Sequence, residues 1–332
     1  MKGLRKYLLL SFITAFTALF ISGCSSNDDV DKVRVAEVTR SIFYAPQYVA
    51  ISEGFFEEEG IEIDLTTTWG GDTTMTTLLA NGADVALVGA ETSIYVYAQE
   101  ANDPPINFAA LTQTDGTFLV SREPIDNFDW NMLKGSTFLG QRTGGMPQMV
   151  GEHVLRKHGI DPRNDLNLIQ NIDFGNIPSA FASGTGEFVQ LFEPTATQFE
   201  IDGIGHIVAS FGAESGTVPY TGFMAKKSYI EKNNDVLERF TKALYKAQKW
   251  VESSSTEQIA KSIQPFFNDT PLDVIENVVE NYKSQGSYAT TPRIKEEAWD
   301  NLHIIMDQAG ELPMTVDFNE LVNTEIAEKV TN

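Results

Sequence analysis

Residues 33–67 read VRVAEVTRSIFYAPQYVAISEGFFEEEGIEIDLTT, and this stretch decides the fold class. VRVAEV, which starts at Val33, is a short apolar segment typical of a strand. The stretch YAPQYVAISEGFF that follows it is helical in character. IEIDLTT, from Ile61, then alternates apolar and polar residues with the period of two that strands show. A strand, a helix and a second strand in this order predict a βαβ unit and a parallel sheet.

The same alternation continues along most of the chain. DVALVG (from Asp84) and INFAALTQ (from Ile106) predict two further strands of the first sheet. A second set begins near Ser136, with the strand candidates STFLGQ, LNLIQNI, EFVQLF and GHIVASF. Beyond about Ser228 the chain is almost all helical, and DVLERFTKALYKAQKWVESS has apolar residues at helical spacing. We therefore predict an α/β protein built from two sets of strands and helices.

The first 23 residues have the composition of an export signal. Lys2, Arg5 and Lys6 precede 16 mainly apolar residues, which are few for a membrane span. ISGC, at 21–24, resembles a bacterial lipobox, in which the cysteine sulfur receives a diacylglycerol; an ordinary signal with a chance cysteine is the alternative. Because Cys24 is the only cysteine in the chain, we favour lipidation.

These features predict where the protein is held. We expect a signal peptide at 1–23 and a lipidated polar tether at 24–32. The rest of the chain would then lie on the extracytoplasmic face of the cell membrane, most simply that of a Gram-positive bacterium. The lipid anchor would be its contact with the bilayer.

The charge of the chain excludes some partners. The formal net charge is −22, from 24 Lys+Arg and 46 Asp+Glu. Nucleic acids and anionic lipid surfaces attract proteins with an excess of basic residues, so neither is expected as a partner. With one cysteine and four scattered histidines, we expect no metal site and no cofactor.

Two segments 103 residues apart share one plan. ANGADVALVGAETS (from Ala80) and SGTGEFVQLFEPTA (from Ser183) each contain a glycine, an acidic residue, an apolar strand and a loop with a glutamate. Asp84 aligns with Glu187, and Ala90 with Glu193. This predicts two similarly built lobes with corresponding loops at the carboxyl ends of their strands, where open α/β sheets bind ligands. Chance similarity between two βα units is the alternative.

FYAPQYVAISEGFFEEEGIEIDL, residues 43–65, resembles the opening of one family of ABC-importer solute-binding proteins. This family contains the thiamine-pyrimidine, alkanesulfonate and taurine binders. NGADVALVG, LKGSTFLGQRTGG and PYTGFMAKKSYIEKN also resemble segments of its members, so the resemblance extends over nearly the whole exported chain.

The resemblance implies a two-lobed fold of the type II periplasmic-binding-protein kind. Each lobe would be a mixed, mostly parallel sheet flanked by helices, and two strands would form the hinge. Lobe one would comprise residues 33–113 and 220–332, and lobe two residues 114–219. The protein would capture a small molecule between the lobes and deliver it, as a monomer, to a membrane permease with its ATPase.

Aromatic and polar residues near the predicted strand ends are the candidate ligand contacts. In lobe one these are Arg40, Phe43, Tyr44, Gln47, Trp69, Asp72, Glu91 and Thr92. At the crossovers and in lobe two they are Gln113, Gly144, Gly145, Met146, Glu193 and Tyr220.

Three of these candidates have simple structural alternatives. Glu193 follows an apolar strand and precedes a helix that starts with proline, so we expect it to project into the cleft; a solvated loop glutamate is the alternative. Trp69 stands beside two glycines that let a ligand approach the backbone, although it could instead pack on the lobe surface. Glu91 could merely complement the N-terminus of its helix.

The candidate charges favour one ligand class. Asp72, Glu91 and Glu193 would make the site acidic unless Arg40 or Arg142 balances them. A flat heterocycle with amino donors, such as a pyrimidine or a thiamine precursor, suits such a site better than a bare anion. An alkanesulfonate, a taurine-like molecule or another small zwitterion is the alternative.

We expect a binding protein and not an enzyme. The sequence has no nucleophile-elbow, zinc-protease, P-loop or dinucleotide-binding motif. An extracellular enzyme that uses the carboxylates of Asp72, Glu91 or Glu193 stays open as the alternative, and so does an adhesion or structural lipoprotein.

Overall fold

The computed structural model describes residues 30–332. The predicted signal peptide, Cys24 and most of the predicted tether lie outside these residues. The tether prediction is corrected at its end, since the first strand begins at Asp31, before residue 32. Asp31 aligns with Ile61 in the parallel ladder, and its carboxylate pairs with Arg239.

Ten strands in two five-stranded sheets form the frame of residues 30–332. In chain order they are β1 (Asp31–Glu37), β2 (Ile61–Thr67), β3 (Val85–Val88), β4 (Pro105–Thr112), β5 (Thr117–Ser121), β6 (Thr137–Leu139), β7 (Asn167–Ile169), β8 (Phe188–Phe192), β9 (His206–Ser210) and β10 (Thr221–Lys226). Helices flank both sheets, so the predicted α/β fold class is confirmed.

The two sheets have the same topology. The first has the order β2-β1-β3-β10-β4, and the second has the order β7-β6-β8-β5-β9. In each sheet one strand, β10 or β5, is antiparallel to both of its neighbours, while the remaining pairs are parallel. These two antiparallel strands each follow a crossover from the other sheet. The central strands β3 and β8 occupy equivalent positions, as the alignment of Asp84 with Glu187 predicts.

The helices fill the space between and around the sheets. They are α1 (Ala45–Ser52), α2 (Phe55–Glu58), α3 (Gly71–Leu79), α4 (Glu91–Ala98), α5 (Met146–Lys157), α6 (Ile177–Ala182), α7 (Thr195–Ile201), α8 (Phe211–Glu214), α9 (Lys227–Lys232), α10 (Asn234–Ser253), α11 (Thr256–Ile263), α12 (Leu272–Ser284), α13 (Glu296–Ala309), α14 (Phe318–Leu321) and α15 (Thr324–Thr331). Within residues 30–332, no helix is both long enough and apolar enough to cross a membrane.

Burial follows the apolar pattern of the sequence. Every residue of β3, β4 and β5 is buried, because these strands have neighbours on both sides or lie beneath helices. Helix α10 buries the predicted apolar face, with Phe240 and Leu244 at its centre. Phe240 packs its ring against Phe56, Phe108 and Phe223. This core fixes the strand ends from which the loops of the candidate site project.

Candidate functional site

A cavity of about 390 Å³ lies between loops of the two lobes. Lobe one contributes the ends of β1 and β3 and the first turns of α3 and α4. Lobe two contributes residues 141–147, which lead into α5, and the end of β8. The equivalent carboxyl ends of the two sheets therefore face each other, which is the usual place for ligands in open α/β sheets.

Eight of the fourteen predicted contact residues line this cavity. They are Tyr44, Asp72, Glu91, Thr92, Gly144, Gly145, Met146 and Tyr220. They come from both lobes, so the structure brings together residues that are far apart in the sequence. Their role in binding stays a prediction.

Glu91 is the most deeply buried charged residue of the lining, with 4% of its surface exposed. Its Oε1 accepts a hydrogen bond of 3.2 Å from the main-chain N–H of Met146, across the cavity from lobe one to lobe two. Burial raises the pKa of Glu91 from 4.5 to about 7, although the hydrogen bond from Met146 and the charge of Arg142 act in the opposite direction. Gly89 leaves room for this carboxylate, because a Cβ there would collide with it.

Asp72 and Arg142 form a second bond between the lobes. Nη2 of Arg142 lies 3.1 Å from Oδ1 of Asp72, and both side chains are substantially exposed. Arg142 precedes α5, and Asp72 lies in the first turn of α3. The sequence predicted Asp72 as a contact and Arg142 as its possible counter-charge, and the structure places the two together at the cavity.

Aromatic side chains supply much of the remaining lining. Tyr44, Tyr95 and Tyr220 line it from lobe one and the crossover, and Phe174 and Phe192 line it from lobe two. Burial raises the pKa of each of the three tyrosines above 10, so all three are uncharged at neutral pH. Flat rings and neutral hydroxyls suit a small ligand with a planar apolar part.

Glu193 does not line the cavity, which corrects the prediction that it projects into the cleft. Its two carboxylate oxygens accept hydrogen bonds of 2.8 Å from the main-chain N–H and the hydroxyl of Thr197, in the first turn of α7. Burial raises its pKa, against these bonds and one from Asn281. Its main-chain oxygen accepts a 2.8 Å bond from the hydroxyl of Ser41 in lobe one. The side chain of Glu193 therefore accepts hydrogen bonds from the first turn of the helix that follows it. Its main-chain oxygen bonds a residue of lobe one.

Arg40 and Gln47 also lie outside the cavity lining, because Glu37 holds them. Glu37 is fully buried at the end of β1. It accepts hydrogen bonds from Gln47, Tyr48 and Thr67 at 2.7–2.9 Å, and its carboxylate lies 3.1 Å from Nε of Arg40. Burial raises its pKa, while the neighbouring arginine and the hydrogen bonds lower it. These contacts hold the loop after β1 in place through the buried carboxylate of Glu37.

Phe43 packs in the interior and does not line the cavity. Its ring lies 5.1 Å from that of Tyr282 and 5.5 Å from that of Tyr220, measured between centroids. It also presses against Gly116 of the crossover, where a Cβ would come within 2.8 Å of the ring. Phe43 is therefore a packing residue of the interior and not a wall of the cavity.

Trp69 and Gln113 complete the set of predicted residues outside the lining. Trp69 is 60% exposed, although the adjacent Gly70 and Gly71 do line the cavity. Its φ is +58°, in the left-handed region that residues other than glycine seldom adopt. Gln113 donates from its side chain to the main-chain oxygen of Gly286, in the crossover.

Several lining residues were missed by reasoning from the sequence. Tyr95 follows Glu91 by four positions in a helix, a spacing that puts both on one face and was a usable signal. Gln141 and Phe174 carry no comparable signal, because they reach the cavity only through the pairing of β6 and the folding of the chain after β7. Among residues 30–332, no group of three or more His, Cys, Asp or Glu side chains could hold a metal ion.

Comparison with known proteins places these features in a family. The model of the NMT1-like family matches residues 31–264. The chain is 61% identical over 332 residues to the putative binding protein YtlA of Bacillus subtilis (strain 168), with 99% of each chain covered. It is 20% identical over 270 residues to the formylaminopyrimidine-binding protein of Halalkalibacterium halodurans, with 77% of this chain and 78% of that protein covered.

A solved structure with the same fold is that of the alkanesulfonate-binding protein SsuA from Xanthomonas axonopodis pv. citri bound to MOPS. The TM-score is 0.72 at 15% identity, and 88% of this chain and 98% of that chain are covered. At this identity the match concerns the fold, and it confirms the two-lobed binding-protein type. Together with the match over residues 31–264, it also confirms the family resemblance of residues 43–65. The chain belongs to the NMT1-like family.

Proposed function

We propose that this chain is the extracytoplasmic solute-binding component of an ABC importer. It captures one small molecule between its two lobes and delivers it, unchanged, to a membrane permease that works with an ATPase. The observation that carries the proposal is the cavity between the lobes, with its two carboxylates, one guanidinium and several aromatic rings. The relative named as a binding protein, at 61% identity, supports it.

The size of the cavity and the bonds across it support capture of a small molecule. About 390 Å³ falls at the lower end of the range of small-ligand pockets, roughly 300–1,000 Å³. Met146 to Glu91 and Arg142 to Asp72 are bonds between lobes that would break if the lobes separated. A solute that contacts both lobes stabilises their closed arrangement by its differential affinity for it.

We propose a pyrimidine or a thiamine-precursor-like heterocycle as the solute. Tyr44, Tyr95 and Phe192 offer faces for stacking, and Asp72 and Glu91 accept hydrogen bonds from amino groups. The relative named for formylaminopyrimidine supports this class. An alkanesulfonate or a zwitterion is the alternative ligand, which the structural neighbour named as an alkanesulfonate-binding protein supports.

The enzyme alternative gains no support from the geometry of the cavity. Asp72 is ion-paired with Arg142, and Glu91 is bonded to a main-chain amide, so neither carboxylate is placed as a free acid or base opposite the other. We therefore propose stoichiometric binding without a change in the solute.

We further propose that Cys24 carries a diacylglycerol and anchors the protein, as a monomer, to the outer face of the cell membrane. The motif ISGC at 21–24 supports this, and so does the absence of any other cysteine in the chain. Intact-mass measurement of the protein from membranes is expected to show removal of residues 1–23 and added acyl chains. A Cys24→Ser variant that stays equally membrane-bound would contradict the anchor.

Native mass spectrometry of the exported domain, purified from cells grown in rich medium, tests the central proposal. We expect one small molecule per chain, released unchanged on denaturation. Adding that molecule back is expected to give saturable one-to-one binding and a raised melting temperature. A protein that carries no solute and gains none from a metabolite library, or that alters the covalent structure of what it binds, would overturn the proposal.

A further inference from the structure

Glu91 lies where the N-termini of two helices approach each other. It is the first residue of α4 in lobe one, and its Oε1 accepts the main-chain N–H of Met146, the first residue of α5 in lobe two. Neither helix has a side-chain cap from its own N-cap residue, which is Ala90 in α4 and Gly145 in α5. The carboxylate of Glu91 therefore lies at the start of its own helix and accepts the first N–H of the other.

A helix N-terminus attracts negative charge, because its first N–H groups lack partners and the helix dipole is positive there. In this cavity the chain supplies that negative charge itself. A sulfonate, phosphate or nitrate in the same place would displace Glu91 or meet its carboxylate at close range. The position that would otherwise attract an anion is thus already filled.

The second oxygen of Glu91 is unsatisfied. Oε2 is buried and has no hydrogen-bond partner among the residues that the structure describes. An unpaired buried acceptor is unfavourable, so a ligand that brings an N–H or N⁺–H donor gains by satisfying it. The nearest positive group, Arg142, is already paired with Asp72.

The balance of charge in the lining agrees with this. Among its charged side chains, Asp72 and Glu91 are acidic and Arg142 is basic. The three tyrosines of the lining are neutral at physiological pH. Above about pH 7, where Glu91 is ionised, a ligand with its own negative charge would add to an excess of negative charge in a small cavity.

We propose that Glu91 is a specificity-determining residue, which occupies the anion position between the N-termini of α4 and α5 and selects solutes that present an N–H donor to its free oxygen. This inference rests on the proposed function, and it narrows the ligand to amino-bearing or cationic molecules. Alkanesulfonates and other bare anions are excluded by the chain itself.

Titration calorimetry with methanesulfonate, a small monovalent anion, at about pH 8.5, where Glu91 is ionised, tests this directly. The wild-type protein is expected to show no saturable binding. Glu91→Ala vacates the place between the helices and is expected to show saturable binding, with a dissociation constant at least about tenfold below the highest methanesulfonate concentration at which wild type shows none. Glu91→Gln removes the charge and keeps the side chain, so a smaller gain is expected; it also keeps the test open if the alanine variant does not fold.

Asp72→Ala in an Arg142→Gln background is the matched control, because it removes the other carboxylate of the cavity and the same charge without leaving an unpaired guanidinium. A gain over Arg142→Gln alone that equals the gain in the Glu91 variants would show that overall charge sets the preference, and would overturn the role of Glu91. Absence of any gain in both Glu91 variants, with melting curves that show folded protein, would overturn it as well. So would a copurified solute whose anionic group lies against Glu91.

The two proposals fail separately. A solute that is captured while the Glu91 variants gain no anion binding leaves the importer role intact and removes the role of Glu91. An anion gain in a protein that captures no solute removes the importer role and leaves the selection by Glu91.

Discussion

The loops that follow the central strands of the two sheets each contain a buried glutamate, but the two glutamates bond different partners. Glu91 follows β3 and Glu193 follows β8, the equivalent strand of the other lobe. Both glutamates are buried and both have a raised pKa. Glu193 turns back to its own helix and bonds Thr197, whereas Glu91 reaches Met146 in the other lobe. Only Glu91 lines the cavity.

The difference shows that equal topology does not give equal function. Equivalent strand ends position a glutamate near a helix N-terminus in both lobes, since a carboxylate is stabilised there. What the carboxylate then does depends on the partner that is nearest. Thr197 offers Glu193 two donors, four positions along the chain, and leaves both of its oxygens satisfied. Glu91 has one donor and one free oxygen, so it remains available to a ligand.

The largest expected effect concerns the pH dependence of Glu91. Because its pKa is raised from 4.5 to about 7, the folded protein binds a proton there more tightly than the unfolded chain does. The group therefore favours folding fully below about pH 4.5, and this contribution is lost as pH rises through about 7. Relative to wild type, Glu91→Gln is expected to gain about 3 kcal/mol in free energy of unfolding between pH 4.5 and pH 8.

Urea unfolding of both proteins across this range measures that difference. Arg142 and the neutral side chains of Tyr44, Tyr95 and Tyr220 face Glu91 and are common to both proteins, so their contributions cancel in the subtraction. A difference that is flat with pH would contradict the burial of this carboxylate.

The matching substitution in the other loop is expected to act on stability and not on binding. Glu193→Ala removes the acceptor of two hydrogen bonds at the start of α7, which is expected to cost about 2 kcal/mol in free energy of unfolding. Solute affinity is expected to stay within about threefold of wild type, because Glu193 does not touch the cavity. A hundredfold loss of solute affinity in folded Glu193→Ala, measured by calorimetry, would contradict this and show that Glu193 contacts the solute.

The third prediction concerns the ion pair between Arg142 and Asp72, which lies at the cavity and has no counterpart beside Glu193 among residues 30–332. Arg142→Gln breaks the bond to Asp72, but both side chains are substantially exposed, so the cost in stability is expected to be at most about 1 kcal/mol. The bond spans the lobes, and a closed complex depends on it more than folding does. We expect Arg142→Gln to bind the solute more weakly and to release it faster than wild type does, as measured by stopped-flow fluorescence. The release rate of wild type is expected to rise with salt concentration, and that of the variant is not. An unchanged release rate would contradict this role.

The smallest effect is expected at Trp69. Its side chain is 60% exposed and lies outside the cavity lining. Trp69→Ala is expected to change the free energy of unfolding by less than about 0.5 kcal/mol. Solute affinity, measured by calorimetry, is expected to remain close to that of wild type. A strong loss of affinity would show that Trp69 folds over the bound solute.

The sequence predicted much of the fold because its signals are local. Strands β1, β2 and β3 and helix α10 each carry a periodic pattern of their own. Strands β5 and β10 were not identified, because each pairs on both sides with strands that are distant in the sequence.

The candidate site was predictable in its location and only partly in its members. Residues at strand ends were the right place to look, and Tyr44, Asp72 and Glu91 do line the cavity. The direction of Glu193 was not predictable, because it depends on whether Thr197 or the cleft offers the nearer donor. Glu37 was overlooked although a charged residue within an apolar strand, three positions before Arg40, is a usable signal of a buried pair.

A crystal structure of the protein with its copurified solute tests the account most directly. The account predicts one solute in the cavity between the lobes, with an N–H donor within hydrogen-bond distance of Oε2 of Glu91 and with Arg142 and Asp72 closed over it. A solute bound elsewhere on the molecule, or one that places an anionic group between the N-termini of α4 and α5, would contradict it.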